Sequence, residues 1–197
     1  MADADSLQRI SSQLERGEIS SAHYLRQLAI HLAGHFESSR AGVWFFVDTS
    51  GGRVLRCAAL YDKPQDDMLS VTDIACAGTS PYFEALVRDG CVLANDARSH
   101  PATVEFAADY LAPFDVAAKL DVGFSVNGVL VGVFSCEQLG TTRTWTQKEL
   151  QSLRQISSHA GLALLRAATR VVDTAPGARW STGNADWLAT LPSRLPP

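Results

Sequence analysis

The stretch LDVGFSVNGVLVGVFSCE, Leu120–Glu137, decides the fold. Asn127-Gly128 between two apolar runs signals a hairpin loop, because a type I′ turn needs positive φ at both central residues. With that loop, Val126 faces Val129, Phe124 faces Val131 and Val122 faces Val133. Side chains alternate between the faces of a strand pair. One face then reads Leu120, Val122, Phe124, Val126, Val129, Val131, Val133, an apolar packing surface. The other reads Lys119, Asp121, Gly123, Ser125, Leu130, Gly132, Phe134, Cys136, small in the middle and polar at the end away from the turn. Facing glycines leave room for a helix or a ligand close to the backbone. A one-residue bulge would carry Glu137 onto this second face, and bulges are common beside functional sites.

The same rules order the rest of the chain. Ser20-Ser21 caps a helix running to about Phe36, with Leu25, Leu28, Ala29 and Leu32 on one side, and a shorter helix over Leu7–Leu14 precedes it. AGVWFFVD and RVLRCAALY flank a TSGG turn and read as a first hairpin. Val71–Ile74 reads as a marginal strand. Ser80-Pro81 starts a helix that Gly90 ends, CVLAND is a further strand, and Pro101 opens a helix through ATVEFAADYL. After the second hairpin, Thr146 and Glu149 form a capping box for a helix from Gln147 to about Val172. This order predicts an α+β domain with a central antiparallel sheet. The organisation expected is a helical extension over 1–17, a domain over 18–172, and a tail over 173–197 containing Pro, Trp180 and Trp187.

Composition excludes several classes. The 197 residues are 46% apolar and 19% charged, as in a globular domain. A net charge of −4 gives no electrostatic footprint for nucleic acid or anionic membrane. No apolar run approaches the ~20 residues needed to span a bilayer. The polar N-terminus is unlike a signal peptide, and the four scattered cysteines follow no metal or redox spacing. The expectation is a cytoplasmic protein with free thiols. There is no G-x-S-x-G, H-E-x-x-H, Walker or kinase signature, so no catalytic residue is assigned.

The segments SRAGVWFF, YFEALVRDGCVLANDARSHP and KLDVGFSVNGVLVGVFSCEQLGTTRTW, with the T-x-x-E helix that follows, resemble bacterial GAF domains, relatives of PAS sensors. The resemblance spans roughly Glu18 to Arg170. It departs at Gly123-Phe124, where the family often has Pro-Ile. It implies a sheet with terminal helices on one face and cover helices or loops over a ligand pocket on the other. It also implies sensory function with an unknown small molecule. No kinase, cyclase or DNA-binding segment is recognisable, so the expectation is that the output is missing or provided in trans. Lys119 and Asp121 would then lie on the pocket side with Phe134, Cys136 and Glu137, under Tyr82, Phe83, Phe106 and Tyr110, with Trp44 and Tyr61 added by the first hairpin. The methionine-sulfoxide-reducing branch uses clustered cysteines. Cys76 and Cys91 flank the first cover helix, but that branch's surrounding motifs are not recognisable here. A bilin branch tends to carry histidine after the hairpin cysteine, where this chain has Glu137, and no cyclic-nucleotide signature can be traced.

The residues themselves leave alternatives. Lys119 and Asp121 fit an ion pair closing the hairpin end as well as a ligand contact. The cover aromatics fit a plain core. Cys136 fits a small buried apolar group, Asn95-Asp96 a turn, and His31 and His35 a packed pair with no third metal ligand. Finally, Leu150, Leu153, Ala160, Leu164, Ala167 and Val171 make a near-heptad stripe with a second apolar flank. The expectation is a homodimer built by Gln147–Val172 and Ser21–Phe36. The competing arrangement is intramolecular cover by the terminal segments, and a ligand-free scaffold for dimerisation or docking is the alternative to a sensor.

Overall fold

A computed structural model describes residues 2–126 and 128–174. Two helices open the chain, α1 (Ala2–Arg16) and α2 (Ser21–His35). The first hairpin is β1 (Arg40–Thr49) and β2 (Gly52–Asp62), followed by two short strands, β3 (Asp67–Met68) and β4 (Ile74–Ala75). The middle of the chain holds α3 (Pro81–Asp89), β5 (Cys91–Ala94), a 3-10 turn at Val104–Phe106 and a π-helical turn at Ala107–Leu111. The second hairpin, β6 (Val116–Val126) and β7 (Val129–Leu139), leads to the long helix α4 (Gln147–Thr174).

The expected caps form. Ser20 accepts from the His23 amide, and Ser80 accepts from the Phe83 amide ahead of Pro81. Gly90 ends α3 in the left-handed region, φ 71°. Glu149 accepts from the Thr146 amide at 2.7 Å while Thr146 Oγ1 accepts from the Glu149 amide at 3.2 Å, a complete capping box. The expected helix over ATVEFAADYL is instead the 3-10 turn and the wider π-helical turn. Thr103 Oγ1, donating to the Ala97 carbonyl at 2.6 Å, ties this cover segment back to the strand end before it.

All strands join one antiparallel sheet of order β3-β2-β1-β7-β6-β5, with β4 also on β2. The second hairpin carries the bulge that sequence alternation left open. Ser125 pairs with Leu130, but Phe124 pairs with Gly132, so Val131 has no partner. Glycine permits this: a Cβ at Gly132 would lie 2.5 Å from the Phe124 ring and 2.4 Å from the Trp44 carbonyl oxygen. Below the bulge every pairing shifts by one, and Lys119 faces Glu137 while Asp121 faces Ser135. Gly123 and Gly132 therefore do not face each other. Gly128 has the positive φ of the expected turn, 78°, and Asn127 lies outside the described residues.

The sheet separates two cores. On one face, Val43, Phe45, Leu120, Val122, Phe134 and Cys136 pack against α1, α2 and α4. On the other, Trp44, Leu60, Val92 and Val133 pack under α3 and the cover turns. The stripe of α4 is used inside the chain: Leu150, Leu153, Ala160, Leu164 and Ala167 are all buried, with Leu7, Ile10 and Leu14 of α1 in the same cluster. The side chain of Val171 and the 175–197 tail, with Trp180 and Trp187, lie outside the described residues.

Candidate functional site

The polar end of the second hairpin becomes a sealed ionic cluster on the cover face. Lys119 Nζ lies 2.8 Å from Glu137 Oε1 and 3.5 Å from Asp121 Oδ2. Two tyrosines close it from above. The Tyr82 hydroxyl, from α3, donates to Asp121 Oδ2 at 2.7 Å. The Tyr110 hydroxyl, from the π-helical turn, reaches Glu137 Oε1 at 2.9 Å and Oε2 at 3.0 Å. The Lys119 ammonium also sits 5.4 Å from the Tyr110 ring centroid. Trp44 meets Tyr110 edge-on at 5.6 Å, and Phe106 meets Tyr82 likewise at 5.0 Å. Asp121 and Glu137 are 0% exposed and Lys119 is 5% exposed.

Burial is the largest influence on how Asp121, Lys119, Tyr82 and Tyr110 titrate. It pushes the Asp121 carboxyl above its ordinary range, against the pull of the Lys119 charge and of the Ser135 and Tyr82 hydroxyls. Burial also opposes the Lys119 charge, but the Asp121 and Glu137 carboxylates outweigh it and hold the ammonium more firmly than usual. Tyr82 and Tyr110 are pushed well above the usual phenol range, first by burial and then by the carboxylates they touch, so both remain neutral donors.

Three polar atoms in this region have no partner among the described residues: Asp121 Oδ1, Ser135 Oγ and Trp44 Nε1. All three side chains are essentially inaccessible. They share the cover face, since Asp121 pairs with Ser135, and Trp44 pairs with Val133 two residues before Ser135. The Ser135 hydroxyl is near enough to lower the Asp121 carboxyl, yet the pair lacks hydrogen-bonding geometry.

Of the expected site residues, Lys119, Asp121, Glu137, Tyr82, Tyr110, Trp44 and Phe106 come together. Phe134 and Cys136 do not, because the bulge at Val131 turns them to the helix face. Tyr61 is also on that face, donating to Asp66 Oδ1 at 2.7 Å. Phe83 lies at the edge, against Phe46 and under the Arg53 guanidinium at 5.0 Å. Lys119 and Asp121 do form an ion pair, as one of the two readings had it. Asn95 and Asp96 organise the local chain: Asn95 Oδ1 accepts from the Trp145 amide and Asp96 Oδ1 from the Arg98 amide.

Sequence reasoning missed Ser135 and the Arg40–Asp62 pair. Ser135 becomes visible only with the bulge, two residues before Glu137 on the same face. Arg40 stands opposite Glu137 in the sheet, and its guanidinium holds Asp62 at 2.8 Å and the Phe114 carbonyl at 2.8 Å. It thereby ties the chain leaving the Tyr110 turn to the first hairpin.

Three of the four thiols are held protonated by burial. Burial pushes Cys57 up to about 12 and raises Cys76 and Cys136, and none of the four cysteines is in a disulfide. Among the described residues no group of three or more His, Cys, Asp or Glu is placed to hold a metal ion, and no helix is long and apolar enough to cross a membrane. His31 and His35 stack at 5.9 Å, and His35 Nε2 lies 2.9 Å from Ser152 Oγ.

This architecture is found in solved proteins. The phycoerythrobilin-bound GAF domain of a cyanobacterial phytochrome has a TM-score of 0.67 at 14% identity, covering 86% of this chain and 97% of that one. Free methionine-R-sulfoxide reductase from Neisseria meningitidis, in complex with its substrate, has a TM-score of 0.63 at 18% identity, covering 83% and 89%. The GAF domain of an Acinetobacter phosphoenolpyruvate-protein phosphotransferase has a TM-score of 0.61 at 11% identity, covering 84% and 94%. At these identities the likeness is one of fold. No curated protein sequence matches the chain. The GAF domain family model matches residues 23–164, well over half of the sequence. The chain belongs to the GAF domain family.

Proposed function

We propose that this chain is a sensory or regulatory domain that binds a small molecule between its β1–β7–β6 sheet face and the cover bearing Tyr82 and Tyr110. One observation carries this reading: Asp121 Oδ1, Ser135 Oγ and Trp44 Nε1 are buried on one face without partners. A buried polar group left unpaired costs about 1–3 kcal/mol. A purely structural core would place apolar side chains there. A bound molecule supplies the missing partners. Tyr82 and Tyr110 are the groups that must yield to it, and π-helical turns such as the one carrying Tyr110 recur at functional sites. The close cover of Tyr82, Phe106 and Tyr110 favours a small ligand over a large planar chromophore, and the raised Cys57, Cys76 and Cys136 thiols favour binding over thiol chemistry.

The route outward runs through Arg143, just beyond β7. Its guanidinium donates to the Phe36 carbonyl at the end of α2 at 2.7 Å and pairs with Glu149 in the first turn of α4 at 2.6 Å. A shift of Glu137 would thus be felt where α2 and α4 meet. We assign the output to a second copy or a partner in trans contacting α2 and α4. With the α4 stripe buried inside the chain, such a contact uses the outer side, where Leu162 is 45% exposed. The closure of the cover over the cluster favours the second reading, a ligand-free scaffold.

Mass spectrometry of protein purified from its own host and then denatured separates the two. The sensor reading expects a small molecule released in stoichiometric amount, and none from Glu137→Gln. No released molecule, with an amide spectrum unmoved by a dialysable host extract, replaces the sensor with the scaffold. Sedimentation of the intact chain tests self-association: a monomer at high micromolar concentration leaves only the partner in trans.

A further inference from the structure

We infer that the group seated against Asp121 is a small organic cation, an ammonium carried by a molecule with a hydrogen-bond acceptor a few bonds away. This rests on the binding reading above and adds the ligand's chemistry. The sealed cluster holds two carboxylates, Asp121 and Glu137, against one ammonium, Lys119. Arg40 stands across the sheet from Glu137, and its guanidinium is committed to Asp62 and the Phe114 carbonyl. The formal balance is therefore one negative charge in a volume without water access. An isolated carboxylate in that setting takes up a proton or a counter-cation.

The atoms left over indicate where the cation sits. Tyr110 shares its one hydroxyl proton between both Glu137 oxygens, and Oε1 also holds Lys119. Asp121 Oδ2 is used by Tyr82 and Lys119. The vacant acceptor is Asp121 Oδ1, and Ser135 Oγ on the facing strand is a second. An ammonium donates to both at once. An anion would meet a carboxylate, and a neutral alcohol would satisfy one acceptor but leave the charge. Trp44 Nε1 can only donate. It lies on the strand beyond Ser135, so it suits an acceptor on the body of the same molecule.

Three probes share a two-carbon skeleton and differ in charge: ethanolamine, ethylene glycol and glycolate. Each is titrated into the full chain at neutral pH and followed at the Trp44 indole N–H resonance, assigned with Trp44→Phe. The expected result is a saturable shift with ethanolamine alone. Asp121→Asn keeps the side-chain shape and should weaken it about tenfold or more, the scale of one charge-assisted contact. Ser135→Ala, which removes only a hydroxyl, should weaken it less and serves if the first variant does not fold. A glycolate or glycol shift as strong as that of ethanolamine overturns the cationic seat while the binding site stands. No shift with any probe also overturns the seat, and the host-ligand release experiment then decides separately whether this face binds anything.

Discussion

The two faces of the sheet solve opposite problems. The helix face is mostly apolar and buries no charged side chain in its cluster: the Tyr24 hydroxyl meets Ser11 Oγ at 3.1 Å, and Trp145 Nε1 is left without a partner among the described residues. The cover face buries a lysine, an aspartate and a glutamate within one sheet end, under two tyrosines, and leaves three polar atoms unpaired. Apolar burial at about 25 cal/mol per Å² explains the first face. The second spends stability rather than supplying it, because desolvating ion pairs is costly. On the proposed reading, this is where specificity for the bound molecule would be built.

The largest expected effect tests the helix face. Leu164 is 2% exposed in the cluster joining α4, α1 and the sheet. Leu164→Glu places an unpaired carboxylate there and should unfold the chain or cost more than about 4 kcal/mol in urea denaturation. A folded, monomeric variant of a dimeric wild type would instead put Leu164 at a subunit contact. Lys119→Met comes next. It leaves two carboxylates buried together and should cost about 3 kcal/mol. A loss below that of an ordinary surface change would mean that the cluster is wetter than its burial indicates.

Tyrosine-to-phenylalanine changes compare the faces directly. Tyr110→Phe removes a hydrogen bond to a carboxylate and should cost about 2 kcal/mol, whereas Tyr24→Phe removes a neutral one and should cost about 1 kcal/mol. Equal losses in thermal melts would erase the distinction. The smallest effect belongs to Asp121→Asn, which removes the excess charge but keeps the Lys119–Glu137 pair. It should change stability at neutral pH by less than about 1 kcal/mol, in the stabilising direction. Its sign varies with pH. The folded Asp121 pKa lies above its ordinary value of 3.8. Its contribution is therefore present below that value and is lost as pH rises through the raised folded pKa. The advantage of Asp121→Asn over wild type should grow from about pH 4 towards neutrality and vanish in acid. A difference that is flat with pH would place the excess charge elsewhere.

Much of this molecule was legible beforehand because its signals are local. Ser80-Pro81, Gly90, the Thr146/Glu149 box and the Thr49–Gly52 turn each act within a few residues, and all appear where expected. Lys119, Asp121, Tyr82, Tyr110 and Trp44 were found because a polar strand end under helix-spaced aromatics is conspicuous in one dimension. The Phe134 and Cys136 errors arose from one slip of register, and the Tyr61 error from a second, where the β1–β2 pairing shifts between Val43 and Trp44. Strict alternation put Phe134 and Cys136 beside Lys119, and one unpaired residue, Val131, exchanged them for Ser135 and Glu137. The first slip depends on how the Phe124 ring and the β1 backbone crowd Gly132, which no spacing rule contains.

The order of elements, the caps, the turns and the supply of ionisable residues near one sheet end were determined by the sequence itself. Their physical causes are short-ranged: φ preferences, side-chain capping and hydrophobic period. Tertiary structure decided which residues share the cover face, that α1 packs against α4 within the same chain, and that Asp121, Ser135 and Trp44 each retain an unpaired polar atom. Those outcomes depend on contacts between segments far apart in the chain, where packing around a glycine or a bulge redirects side chains that local rules had already assigned.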